Sequence, residues 1–192
     1  MFHWAMGMAL LATLTTLAIL AVLAPPRASR KTSNAENPAQ ALAVAAAFGF
    51  LAMCVGSYVS SSYAGLACST FPACAGTLLG DNAAQHAQMA HRLAAAAFAL
   101  AAFMAVLHTV RVGSFRVKAF AVAGMTLLVV QIWLGAFNVA LLLPVALREA
   151  HAANACLTFL AFVVAAVLAA IDPLRKDVRQ AEPNRMQAAQ PS

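Results

Sequence analysis

Charge is what this sequence has least of. Only 9% of its 192 residues are Asp, Glu, Lys or Arg, and the acidic residues number 6. A water-facing surface takes roughly a quarter of a soluble domain's residues as charged ones, so an ordinary soluble domain is excluded. Lys and Arg are also missing from the whole stretch 61–87. Cys-x-x-Cys-His does not occur, which excludes covalent c-type haem attachment. Nowhere do three or four metal-ligating residues crowd together at zinc-site spacing, so zinc is the weaker metal option. The net charge of +6 invites a nucleic-acid reading. The basic residues, however, sit in short segments between apolar runs rather than on one face of a domain, and no nucleic-acid partner is expected.

Apolar residues are what the sequence has in excess, at 63%. They fall into five runs, at about 4–24, 40–60, 88–108, 117–143 and 150–171. Each reaches the roughly 20 residues that cross a hydrocarbon core of about 30 Å. The first run has no basic segment ahead of it and is long enough to span, so it reads as a membrane helix rather than a secretory leader. Pro25-Pro26, Gly113-Ser114 and Asp172-Pro173 punctuate the runs. The expected fold class is an all-α integral membrane protein of five transmembrane helices, with membrane lipid as its first partner.

Ten of the 12 Lys and Arg fall on one side if the chain threads five times: Arg27, Arg30, Lys31, Arg111, Arg116, Lys118, Arg175, Lys176, Arg179 and Arg185. The positive-inside rule makes that side cytoplasmic. The N-terminus and the loop 61–87 are then outside, the C-terminus is cytoplasmic, and the setting is a bacterial-type inner membrane. Residues 25–39 read as a cytoplasmic loop and 172–192 as a polar, disordered cytoplasmic tail.

Two histidines stand at matched depth near the outer ends of different helices, His91 in the third run and His151 in the fifth. An ionisable residue in a membrane span is by default a functional candidate. Neutral imidazole is a standard axial ligand of haem iron, and bundles hold cofactors between side chains of facing helices. The bland alternative is a pair of interfacial, hydrogen-bonded histidines. His86 reads as solvated in the outer loop. His108, roughly 25 Å along the helix from His91, reads as interfacial at the far end. Arg92 is either a two-pronged partner for a haem propionate or a snorkelling interfacial cation. Cys68 and Cys74 are either a structural disulfide in an oxidising compartment or a pair that exchanges with a thiol carrier. Cys54 and Cys156 read as packing residues. Gly49, Gly56, Gly124 and Gly135 serve close helix packing or leave room for a flat ligand.

Four stretches in order carry a family resemblance: Gly56-Ser-Tyr-Val-Ser through Cys68 and Cys74 to Gly76, Met89-Ala-His91-Arg92, Gln131-Ile-Trp-Leu-Gly135-Ala-Phe-Asn-Val139, and His151. Together they resemble the haem A synthase family (Cox15/CtaA) over about 40–171. The resemblance implies oxidation of the C8 methyl of haem O to the formyl of haem A, for cytochrome oxidase biogenesis. It also implies eight spans in two similar four-helix halves, each with a histidine pair near the outer face, and an outer cysteine pair. Residues 40–171 then correspond to a four-helix haem-binding bundle with His91 and His151 as axial ligands and haem b as cofactor. Residues 1–24 resemble the last helix of a preceding half, with His3 the counterpart of His151 and a remnant ligand of a second pair.

The sequence departs from the family pattern at three places. Gln88 stands where the catalytic half carries a Glu three residues before its first His, and an amide cannot act as a proton relay. Ser60 replaces an arginine after Gly56-x-x-Val59, and Phe71 replaces a usual Trp. These departures assign the chain to the cofactor half, with activity alone in doubt. Expected partners are haem, a missing or separate catalytic half or a second copy of the chain, and oxidase assembly factors. The alternative is a b-type electron carrier or assembly subunit without chemistry of its own.

Overall fold

The protein is described by a computed structural model covering residues 2–24, 37–70, 73, 74, 76, 77 and 79–188, with the backbone path alone from 174 onward. Arg27, Arg30, Lys31, Phe71 and Pro72 lie outside the described residues. Among the described residues the elements are five helices: α1 (Phe2–Leu23), α2 (Ala39–Ser61), α3 (Ala83–Val112), α4 (Phe115–Ala140) and α5 (Val145–Ala188). All five are long and apolar enough to cross a membrane, α5 doing so over Val145–Pro173. The chain is a multi-pass, all-helical membrane protein.

Helices α2 to α5 form the bundle. The closest neighbours are α2 with α3 and α4 with α5, and α2 also packs on α5 and α3 on α4. Helix α1 lies outside, against α5 and α2, with no fully buried residue. Alanine dominates the contacts: Ala45, Ala102, Ala121 and Ala165 are all completely enclosed. Small side chains let membrane helices approach closely, so that backbone and side-chain packing replaces the hydrophobic drive that lipid cannot supply. Gly49 faces the ring of Phe98 and Gly124 that of Phe162, each closely enough that a Cβ would sit 3.0–3.1 Å from a ring carbon. Those two rings meet edge-on at 5.7 Å in the middle of the bundle. Leu10, Leu14, Leu93, Leu100 and Trp133 point outward. Such a surface would aggregate in water; in a bilayer it faces solvent of its own kind.

Two helix starts lie earlier than the apolar runs suggest. Asn82 caps α3, its side chain accepting from Gln85 N at 3.0 Å, so the helix begins inside the segment 61–87 read as loop. Helix α5 starts just after Pro144, whose carbonyl accepts from Leu147 N and Arg148 N at 3.1 Å. His91 and His151 are therefore each about two turns inside their helices. A correction applies to the tail. Helix α5 runs on to Ala188, through most of the tail 172–192 that reads as disordered; residues 189–192 lie outside the described residues. Pro173 removes one backbone donor without ending the helix, and the Leu, Arg, Lys, Gln and Ala after it are good helix formers.

The α4–α5 turn and the α2–α3 loop meet at one end of the bundle. Leu142 and Leu143 both have φ of 60°, a left-handed conformation costing about 1–2 kcal/mol for each such residue. The bend sets Leu143 N on the Asn138 carbonyl at 2.7 Å. It also presses the Leu143 side chain on Gly65, where a Cβ would lie 2.8 Å from Leu143 Cδ1.

Candidate functional site

The site is built from two helix pairs, each with a glycine on its first helix and a histidine on its second. In the first pair, the His91 ring on α3 lies across Gly56 of α2. A Cβ there would be 2.8 Å from His91 Cε1 and 3.1 Å from Nδ1. Nδ1 lies 3.1 Å from the Ala52 carbonyl. A carbonyl has no proton to give, so Nδ1 carries the hydrogen and donates it. The Nε2 lone pair is then left for another partner. Metal-binding histidines are typically held this way, with the second nitrogen donating to a backbone carbonyl or carboxylate.

The second pair repeats the arrangement with a difference. His151 on α5 packs on Gly135 of α4, where a Cβ would be 3.2 Å from Cε1. The ring faces the Gln131 carbonyl, but Nδ1 is buried with no partner at hydrogen-bonding geometry. The two histidines singled out from the sequence thus stand in matching places, each ring packed on a glycine of the neighbouring helix.

The neighbours of His91 hold the cysteine loop. Gln88, only 4% exposed, accepts from Cys68 N at 2.6 Å through Oε1 and donates to the Gly65 carbonyl at 2.8 Å through Nε2. Arg92 donates through Nη1 to the Thr70 and Ala73 carbonyls at 2.7 and 3.3 Å, and through Nη2 to the Cys68 carbonyl at 3.1 Å. Cys68 and Cys74 are joined as a disulfide and are buried with Met89 in a small cluster of their own. Cys74 and Thr77 exchange backbone hydrogen bonds at 2.9 Å.

Of the polar group beside His151, Gln131 and Asn138 belong to a stretch that carries the family resemblance, while Asn154 has no counterpart in the sequence reading. Asn154, one turn inward, donates to Gln131 Oε1 at 2.7 Å and to the Leu127 carbonyl at 2.9 Å. One turn outward, Asn138 donates to the Leu147 carbonyl at 3.3 Å, while its own Oδ1 is buried without a partner. The available signal was an amide three residues after a histidine in an otherwise apolar run.

The remaining histidines stay apart. His86 is exposed and contacts the Gly80 carbonyl at 3.1 Å. His108 lies near the other end of α3, and His3 is exposed on the first turn of α1. Cys54 and Cys156 are free thiols, the latter bonded to the Ala152 carbonyl at 3.2 Å.

Among the described residues no three His, Cys, Asp or Glu side chains gather around a point that could hold a bare ion. A haem brings four nitrogens of its own and asks the protein for two. The tautomer of His91, the orphaned ring nitrogen of His151 and the absence of a Cβ beneath both rings fit that demand. A family model described as cytochrome oxidase assembly protein, COX15-CtaA, matches residues 1–163. The chain belongs to this family. No curated protein sequence matches it. Membership in COX15-CtaA gives it a role in cytochrome oxidase assembly and, in general terms, in haem A synthesis. The match covers both histidines, the cysteine loop and α1.

Proposed function

We propose that this COX15-CtaA chain supplies the haem b-binding part of haem A synthesis, with His91 and His151 as the two axial ligands. The single observation that carries the reading is the Nδ1–H of His91 donated to the Ala52 carbonyl, which reserves Nε2 for a metal. A haem held there supplies an iron that changes its oxidation state by one electron. The protein's part is to orient both rings and keep them between apolar helices. Arg92 ties the cysteine loop down beside His91 and would be the cation there to meet a haem propionate. The disulfide, the lack of Lys and Arg in 61–87 and the basic residues at the opposite side support an orientation with the loop outside an inner membrane.

Oxidation of the haem O methyl to a formyl needs a group that can accept a proton near the reacting carbon. Gln88 is a neutral amide with both ends engaged in the loop, so it provides none. That commitment favours a second reading, in which the chain is a haem-bearing electron carrier or an assembly subunit and the methyl oxidation belongs to a carboxylate-bearing partner half. Haem O conversion by the purified chain alone would exclude this second reading.

Reduced-minus-oxidised spectra of membranes containing the full chain test the haem reading. The expected result is a b-type signal that disappears in His91→Ala and in His151→Ala. No signal in the parent chain, or one unchanged in both variants, overturns it.

A further inference from the structure

We propose that Gly56 and Gly135 are positioning residues that set the two imidazoles by uncovering the backbone carbonyl four residues earlier in their own helices. The inference rests on the haem reading above for its purpose, but its geometry is independent of any ligand.

In an α-helix each side chain leans toward the N-terminus and lies over the turn before it. The carbonyl of residue i−4 is therefore screened by the side chain of residue i. This chain shows the relation repeatedly. The hydroxyls of Thr13, Thr16, Thr109 and Thr158 bond the carbonyls of Ala9, Ala12, Ala105 and Asn154, each four residues back, at 2.7–2.8 Å. A glycine at position i removes the screen. The carbonyl already accepts one helical N–H, but its oxygen has two lone pairs, and a donor from a neighbouring helix can then approach sideways.

The first pair does this. Gly56 is four residues after Ala52, and the ring lying over the missing Cβ is His91, whose Nδ1 reaches the Ala52 carbonyl. The second pair has the same register. Gly135 is four residues after Gln131, its missing Cβ is covered by His151, and that ring faces the Gln131 carbonyl. Two glycines, two histidines and two carbonyls at one spacing form a repeated device. It is closed at His91 and open at His151, where Nδ1 still lacks its partner. Plain packing accounts for Gly49 and Gly124, which meet phenylalanine rings; it leaves the shared carbonyl register unexplained.

The test uses the full chain in detergent and two readouts. Nitrogen NMR of the histidine rings without haem is expected to show His91 in the Nδ1–H tautomer, lost in Gly56→Ala and retained in Gly49→Ala, the packing control. Haem titration is expected to show about 10-fold or greater weakening in Gly56→Ala, the scale of losing a ligand's orienting partner. Gly135→Ala should weaken binding less, because its Cβ meets the ring at 3.2 Å rather than 2.8 Å, and Gly49→Ala should leave the haem spectrum unchanged. An unaltered His91 tautomer in Gly56→Ala, or equal effects of Gly49→Ala and Gly56→Ala on haem binding, overturns the proposal. If Gly56→Ala does not fold, Gly135→Ala decides against Gly124→Ala, the packing control on the same helix: His151 resonances moved by the first and not by the second support the proposal, and equal movement overturns it. If the parent chain binds no haem, the ligand reading fails while the NMR result still decides the role of the glycines.

Discussion

The helix pairs α2–α3 and α4–α5 present the same glycine–histidine contact in opposite states of completion. Around His91 the polar groups find partners: Nδ1 on the Ala52 carbonyl, Gln88 on both Gly65 and Cys68, Arg92 on three carbonyls of a disulfide-closed loop. Around His151 two buried acceptor or donor atoms have none, His151 Nδ1 and Asn138 Oδ1. The connections differ in the same sense. A loop of about twenty residues, stapled by a covalent bond, joins the first pair; a short turn with two left-handed leucines joins the second. Satisfied networks hold one arrangement, whereas orphaned buried groups mark places where a ligand, a water or a shift supplies the missing bond. By that contrast the His91 ring is held and the His151 ring is free to adjust; in the proposed haem site they would be the fixed and the adaptable ligand.

The largest effect is expected at Gln88. Gln88→Leu strips the Cys68 N–H and the Gly65 carbonyl of their partner, at about 1–3 kcal/mol for each buried group. Gln88→Glu keeps an acceptor for Cys68 but sets a carboxylate oxygen against the Gly65 carbonyl, so it restores at most half the loss. Thermal midpoints in detergent check the order: parent, then Gln88→Glu, then Gln88→Leu. A Glu variant as stable as the parent even at alkaline pH, where its carboxyl is ionised, would show that the amide's donor end is idle.

Next is the disulfide. Cys68 and Cys74 are separated by six positions, and closing so short a ring stabilises by about 2 kcal/mol in the chain-entropy account. Cys68→Ser with Cys74→Ser should lower the thermal midpoint and loosen the carbonyls that Arg92 gathers. The His91 signal should move and the His151 signal should not. Equal movement of both would erase the distinction between the pairs.

Much of this architecture is legible without coordinates, for identifiable reasons. Membrane spans depend on summed hydropathy, which a sequence carries directly, so the five helices match the five apolar runs. Helix ends depend on caps and on weak propensities, so Asn82 extends α3 backward and α5 runs past Pro173. The paired histidines are readable as letters in a familiar order. Their orienting partners are not, because the Ala52 and Gln131 carbonyls belong to the backbone and every residue has one. Gln88 illustrates the limit most sharply. As a letter it records the loss of an acid; in the fold its two ends hold Gly65 and Cys68, three residues apart in the loop, which an acid would do only when protonated.

Asn154 should matter less than either feature of the first pair. Its amide donates to Gln131 and Leu127, yet interhelical hydrogen bonds between membrane helices average only about 0.6 kcal/mol. Asn154→Leu should lower stability by about 1 kcal/mol and release Gln131 beside the His151 ring. A shift in the haem spectrum with little change in thermal midpoint is the expected signature. A loss comparable to that of Gln88→Leu would mean that the second pair is as tightly locked as the first.

The smallest effect is expected at Asn138, and its sign discriminates between the two pairs. The side chain makes one long bond, 3.3 Å to the Leu147 carbonyl, and leaves Oδ1 buried and unpaired. Leu147 lies in the first turn of α5, where its carbonyl also accepts the helical N–H four residues on. Removing the amide therefore orphans nothing and eliminates one orphan. Replacing a poorly satisfied polar group by an apolar one of similar shape is close to neutral, so Asn138→Leu should leave the thermal midpoint nearly unchanged or raise it. A clear loss instead would require a bound water or a ligand group donating to Oδ1. In that case one of the two gaps in the α4–α5 pair is filled, and the contrast with its neighbour narrows to His151 Nδ1.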